Sequence, residues 1–137
     1  MTLHSNKQSA LDFIHAINTL DKDRMRQLMH DAATWTVPKS AVAPYAGTHH
    51  GASDIADMMV GAVEQAFDSN GVHHEVGLCV AEGDHVVIET RMTARQATGK
   101  TYANDYVFIF HIADGHIASI REHVDTAYAI QFFAAPG

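Results

Sequence analysis

The sequence predicts an α+β domain, with helices packed on one face of an antiparallel sheet. Three observations predict it. Apolar residues recur at helical spacing through Phe67 and at strand-like spacing after Gly71. Three Gly-bearing turns, Glu82-Gly83-Asp84, Ala97-Thr98-Gly99 and Ala113-Asp114-Gly115, divide the second half into segments rich in β-branched and aromatic residues. With 137 residues, 47% apolar and 18% charged, the chain suits one core and is too apolar for disorder. A single domain over residues 1–137 is expected.

Ser5 and Gln8 form a capping box, and Ala10, Phe13, Ile14, Ile17 and Leu20 follow at helical spacing, so residues 5–20 read as a helix. Asp21 caps a second, short helix running through Asp31 on an apolar face of Met25, Leu28 and Met29. Residues 32–37 read as a strand, ended by Pro38. Residues 38–50, with Pro38, Pro44, Gly47 and His49-His50, read as a loop. Gly51 or Ser53 opens a third helix with Ile55, Met58, Met59, Ala62, Val63, Ala66 and Phe67 on one side, stopped by Ser69-Asn70-Gly71. Segments 72–81, 85–95, 100–112 and 116–124 read as a meander of four strands. Asp125-Thr126 starts a terminal helix over Ala127–Phe133.

A formal charge of −7 argues against nucleic acid, which needs a basic face. Protonated together near pH 6, the 11 histidines would outweigh that deficit, so the net charge should change sign between about pH 7 and 5.5. One cysteine, Cys79, allows no internal disulfide, and the N-terminal residues show no leader pattern. A cytoplasmic protein without a membrane span is expected. The histidines are scattered and show no ligand spacing on a helix, so no metal and no cofactor are expected.

The last third carries Thr98-Gly99-Lys100-Thr101-Tyr102-Ala103-Asn104-Asp105-Tyr106-Val107-Phe108-Ile109-Phe110, then Asp114-Gly115-His116-Ile117 and Ile120-Arg121-Glu122-His123-Val124-Asp125-Thr126. Leu20-Asp21, Asp31-Ala32-Ala33-Thr34-Trp35 and Tyr45-Ala46-Gly47 precede them. In this order and wording the chain resembles the SnoaL-like branch of the ketosteroid-isomerase-like (nuclear transport factor 2-like) superfamily. The resemblance implies a cone: three N-terminal helices on a curved, mainly antiparallel sheet, with a short C-terminal helix. It also implies an apolar pocket for a hydrophobic small molecule and a homodimer through the sheet's outer face. Thr101, Ala103, Val107 and Ile109 would give that face an apolar stripe.

The superfamily's chemistries project onto this chain differently. Where ketosteroid isomerases carry a carboxylate base on the first strand, this chain has Val37. The acid–arginine–acid set of limonene-epoxide-hydrolase-like enzymes projects onto Glu89, Arg91 and Glu122, with charges partly transposed, and its helper Tyr and Asn fall on Trp35 and Val37. The aspartate–histidine dyad of the dehydratases projects onto Asp21 with His73 or His74, although capping alone explains Asp21. The resemblance places Asn104, Tyr106, Glu89, Arg91, Glu122 and Val124 in the pocket, with Trp35, Tyr45, Phe13, Ile17, Met59 and Phe108 contacting substrate. Glu122 is the expected working carboxylate: flanked in parity by Ile120 and Val124, it faces the core, paired with Arg91 or protonated with a raised pKa. The expected function is cofactor-free acid–base chemistry on an apolar, oxygen-bearing molecule, of isomerase, cyclase, dehydratase or epoxide-hydrolase type. The alternative is a non-catalytic binding or protein-interaction domain.

Overall fold

Leu20 adopts a left-handed backbone with φ of 53°, and this ends the first helix. Helix α1 therefore spans Leu3–Asn18, two residues short of the expected Leu20. A computed structural model gives the architecture over residues 3–41 and 45–134; Pro44 of the expected loop lies outside the described residues. Helix α2, Lys22–Leu28, is capped by Asp21, whose side chain accepts from the Arg24 backbone N–H at 3.0 Å. It stops three residues before Asp31 because Met29 opens strand β1, Met29–Val37, and pairs with Ile117. Long-range pairing overrides local helical spacing here.

Gly47–His50 forms strand β2, inside the stretch expected to be a loop, and pairs antiparallel with β1. Its Gly-Thr-His-His wording has no apolar alternation, so no pattern marked it. Helix α3 is Ala52–Ala66. The meander follows as β3 Val72–Glu82, β4 His85–Arg95, β5 Thr101–Ala113 and β6 His116–Val124, then helix α4 Thr126–Ala134. The β5–β6 turn has Asp114 at φ 51° and Gly115 at φ 78°, the paired positive values that a two-residue hairpin loop requires.

The six strands lie in the order β2-β1-β6-β5-β4-β3. The last four are contiguous and antiparallel, as expected, and β1 joins β6 in parallel. Register shifts at Val76/Leu78, His111/Ile112 and Met29/Thr34 interrupt the ladders, and such bulges bend a sheet into a curve. The concave face meets the helices: Phe13 of α1 packs edge-on against Phe110 of β5, and Phe132 of α4 against Tyr102. Val86, Ile88, Phe108, Phe110, Ile117 and Ile120 are buried on this face, each contributing about 1.5–3 kcal/mol by area removed from water. No described helix is long and apolar enough to cross a membrane.

Candidate functional site

Between the concave face and helices α1, α3 and α4 lies a cavity of about 400 Å³. Most of its wall is apolar: Ile17 of α1, Met59 and Val63 of α3, Met92 and Phe108 of the sheet, and Phe133 of α4. A few polar groups interrupt this wall, as in sites that orient a small molecule.

Glu122 is the acidic group of the wall. Strand β6 carries it opposite Phe108 and diagonal to Tyr106, whose own partner is Val124. The Trp35 indole, brought alongside by the parallel β1–β6 seam, donates from Nε1 to Glu122 Oε1 at 3.2 Å. No salt bridge reaches Glu122 among the described residues. Burial therefore dominates and pushes its pKa up to about 7, against a smaller lowering by the indole N–H. The expected ion pair with Arg91 is not formed: Arg91 pairs with Asp105 instead.

His74 enters the wall from β3. Asn18, the last residue of α1, clamps its backbone: Oδ1 accepts from the His74 N–H at 2.7 Å and Nδ2 donates to its carbonyl at 3.1 Å. The His74 Nδ1 lies 2.8 Å from Thr90 Oγ1, with Tyr106 and Phe108 edge-on to the ring. Burial, aided by the neighbouring charge of His73, lowers its pKa to about 4, so the imidazole is neutral at neutral pH. Tyr106 bonds Tyr102 hydroxyl to hydroxyl at 3.0 Å, and burial followed by the Glu122 charge raises its pKa well above the usual tyrosine range. At the rim, the His49 ring lies 5.0 Å from Trp35, and its Nε2 donates to the Tyr45 carbonyl at 2.6 Å.

The structure thus brings Trp35, Tyr45, Ile17, Met59, Tyr106, Phe108, Glu122 and Val124 into one wall. Asn104 is buried beside it, bonded to Tyr102. Four expectations need correction. Glu89 and Arg91 are exposed on the opposite face, where Arg91 donates to Asp105 at 2.8 Å. In the β4–β5 register Arg91 stands opposite Asp105 and Met92 opposite Asn104, so the even-numbered residues of β4 face the cavity side. The buried alternation Val86, Ile88, Met92, Ala94 was the sequence signal for that parity. Asp21 is an exposed cap and forms no dyad. His73 points outward, and its neighbour His74 is the buried one. Phe13 is 1% exposed in the core and does not line the cavity.

Asp125 accepts from the Tyr128 N–H at 3.1 Å, in keeping with a cap. Tyr102, Met92, Phe67 and Phe133 belong to the wall although the sequence reading did not assign them. Tyr102 shares the parity of Asn104 and Tyr106, which was the available signal for it. Among the described residues no three His, Cys, Asp or Glu side chains converge to hold a metal ion.

The sequence model of the SnoaL-like domain matches residues 10–120. No protein of curated function matches the chain in sequence. Among solved structures, a nuclear transport factor 2-like protein of unknown function from Burkholderia pseudomallei is 19% identical, with 98% of this chain and 100% of that one covered and a TM-score of 0.84. TerC, co-crystallised with polyporic acid, is 19% identical over 96% of this chain and 99% of its own, with a TM-score of 0.82. A putative SnoaL-like polyketide cyclase from a Jannaschia species is 19% identical over 98% and 94%, with a TM-score of 0.79. Likeness at these identities establishes the fold.

Proposed function

The chain belongs to the SnoaL-like domain family, and from that premise we propose that it is a small enzyme performing acid–base chemistry on an apolar, oxygen-bearing molecule, with Glu122 as the proton-transfer group. One observation carries this reading: a carboxyl with a pKa of about 7, without a counter-ion among the described residues, in an apolar cavity. Near neutral pH such a group exists in both forms, so it can accept a proton and return it. As the carboxylate takes a proton from the carbon beside a carbonyl, the C–H pair forms a C=C bond and the carbonyl pair moves onto oxygen. The carboxyl so formed then delivers the proton to a carbon of the resulting enolate. Neutral His74 and the Tyr106 hydroxyl share the wall with Glu122 and are the groups we assign to receive that oxygen. The reaction class fits an isomerase, cyclase or dehydratase better than an epoxide hydrolase, because Glu89 and Arg91 lie away from Glu122.

Polyporic acid, the molecule co-crystallised with TerC, is the first probe. Trp35 is the chain's one tryptophan and lies in the wall, so its fluorescence reports occupancy. Once a turned-over substrate is found, Glu122→Gln should lower kcat by about 10²–10⁴-fold while leaving probe binding intact. Unchanged turnover removes the catalytic role. Val37 in the wall, where the isomerase resemblance calls for a carboxylate, favours the second reading, a non-catalytic binder; probe binding without turnover by any member of a ketone and enol panel would support it.

The proposal extends to a cytoplasmic homodimer. Exposed Val80 on the convex face continues through Val87 into Ile109; in the next row Val107 and exposed Leu78 flank Glu89. A second copy would cover this apolar row.

A further inference from the structure

We propose that Tyr102 and Asn104 are positioning residues that make the Tyr106 hydroxyl a one-directional donor to a ligand oxygen, so that the cavity selects ketones over hydrocarbons of the same shape. The inference rests on the reading of the cavity as a small-molecule site and follows from counting donors and acceptors.

The Asn104 amide cannot be turned over. Its Oδ1 accepts from the Asp105 backbone N–H at 2.8 Å, and its Nδ2 donates to the Asp125 carbonyl at 3.0 Å. A flipped amide would set N–H against N–H and oxygen against oxygen. The second amide hydrogen of Nδ2 therefore goes to the Tyr102 hydroxyl oxygen at 2.9 Å, which makes that oxygen an acceptor.

The Tyr102 proton then needs an acceptor. Tyr102 is 1% exposed, and among the described residues the remaining partner of its hydroxyl is the Tyr106 oxygen at 3.0 Å. If Tyr106 donated instead, the Tyr102 proton would be buried without a partner, which costs about 1–3 kcal/mol. The consistent order runs from Asn104 N–H to Tyr102, from Tyr102 O–H to Tyr106, and leaves the Tyr106 proton for the cavity. Burial raises both phenols above their usual range, so both keep their protons at neutral pH. A hydroxyl that accepts one hydrogen bond is polarised toward donating the next. The Tyr106 ring lies parallel to Phe108, with centroids 5.9 Å apart, so its direction is held by packing.

The test uses acetylnaphthalene, whose carbonyl only accepts, and ethylnaphthalene, its counterpart without oxygen. Calorimetry at about pH 8 keeps Glu122 mostly ionised and unable to donate. The wild type should bind the ketone about fivefold to tenfold more tightly than the hydrocarbon. Its bound carbonyl stretch should shift to lower frequency. Tyr106→Phe should abolish the preference and the shift. Tyr102→Phe should reduce the ratio of ketone to hydrocarbon affinity and the carbonyl shift together, an effect that a merely structural role would not produce. If Tyr106→Phe loses the preference and Tyr102→Phe keeps it in full, the relay is wrong while the cavity reading stands. A preference retained by both variants also overturns the relay. Binding of neither probe overturns the cavity reading and the relay together. Should Tyr102→Phe fail to fold, the wild-type hydroxyl proton resonance of Tyr106 gives the same decision: it moves downfield with the ketone alone, and no movement overturns the proposal.

Discussion

Trp35 and Glu122 lie 87 residues apart in sequence, yet the indole Nε1–H donates to the carboxyl Oε1 at 3.2 Å across the parallel β1–β6 seam. This bond restrains the carboxyl's pKa, which burial would otherwise drive higher. Trp35→Phe removes the donor and keeps an aromatic wall. The Glu122 pKa should then rise above about 7, because the lost bond favoured the charged form. Carbon NMR of the labelled Glu122 carboxyl against pH checks this; a pKa that falls or holds contradicts it.

Glu122 and His74 have opposite effects on stability against pH. The folded Glu122 pKa of about 7 lies above its ordinary 4.5, so its contribution is full below pH 4.5 and is lost as pH rises through 7. The folded His74 pKa of about 4 lies below its ordinary 6.5, so its contribution is full above pH 6.5 and is lost as pH falls through 4. Between about pH 4.5 and 6.5 the two slopes oppose each other. Glu122→Gln should leave the His74 slope exposed and should gain about 1–3 kcal/mol on the wild type at pH 8 relative to pH 4. His74→Gln should expose the falling slope. Urea midpoints across this range, compared with the wild type, decide both.

Arg91 and Asp105 are exposed across β4 and β5, with side chains 59% and 73% accessible. Their ion pair is screened by water and should contribute less than about 1 kcal/mol. Arg91→Ala and Glu89→Ala should therefore shift the urea midpoint little and leave probe binding at the wild-type value. A loss of binding would bring these residues back to the site.

The convex face supplies the fourth test. Light scattering should give twice the chain mass of 14.9 kDa at micromolar concentration. Ile109→Lys should yield a monomer by placing a charge in the row formed with Val80 and Val87. A wild-type monomer rejects the dimer.

Much of the site's inner face was legible as parity. Asn104, Tyr106 and Phe108 alternate on β5, and Glu122 shares parity with Val124 on β6; the structure puts all of them on the concave side, Asn104 just behind the cavity wall. Glu89 and Arg91 were misplaced because an ungapped projection ignored the apolar alternation of their own strand. His73 and His74 could not be told apart by type, since only the sheet's orientation decides which of two neighbours is buried.

Apart from strand Gly47–His50, the sequence by itself determined the order of helices and strands, the Asp114-Gly115 turn and the antiparallel meander. These rest on local periodicity and backbone preference, which act over a few residues. Tertiary structure alone decided three things: that Met29 leaves its helix to pair with Ile117, that Gly47–His50 becomes an edge strand, and that Glu122 meets an indole and no cation. Each depends on groups distant in the chain, and on how far packing removes water from them. A carboxyl's affinity for a proton is set by that removal, which no local pattern encodes.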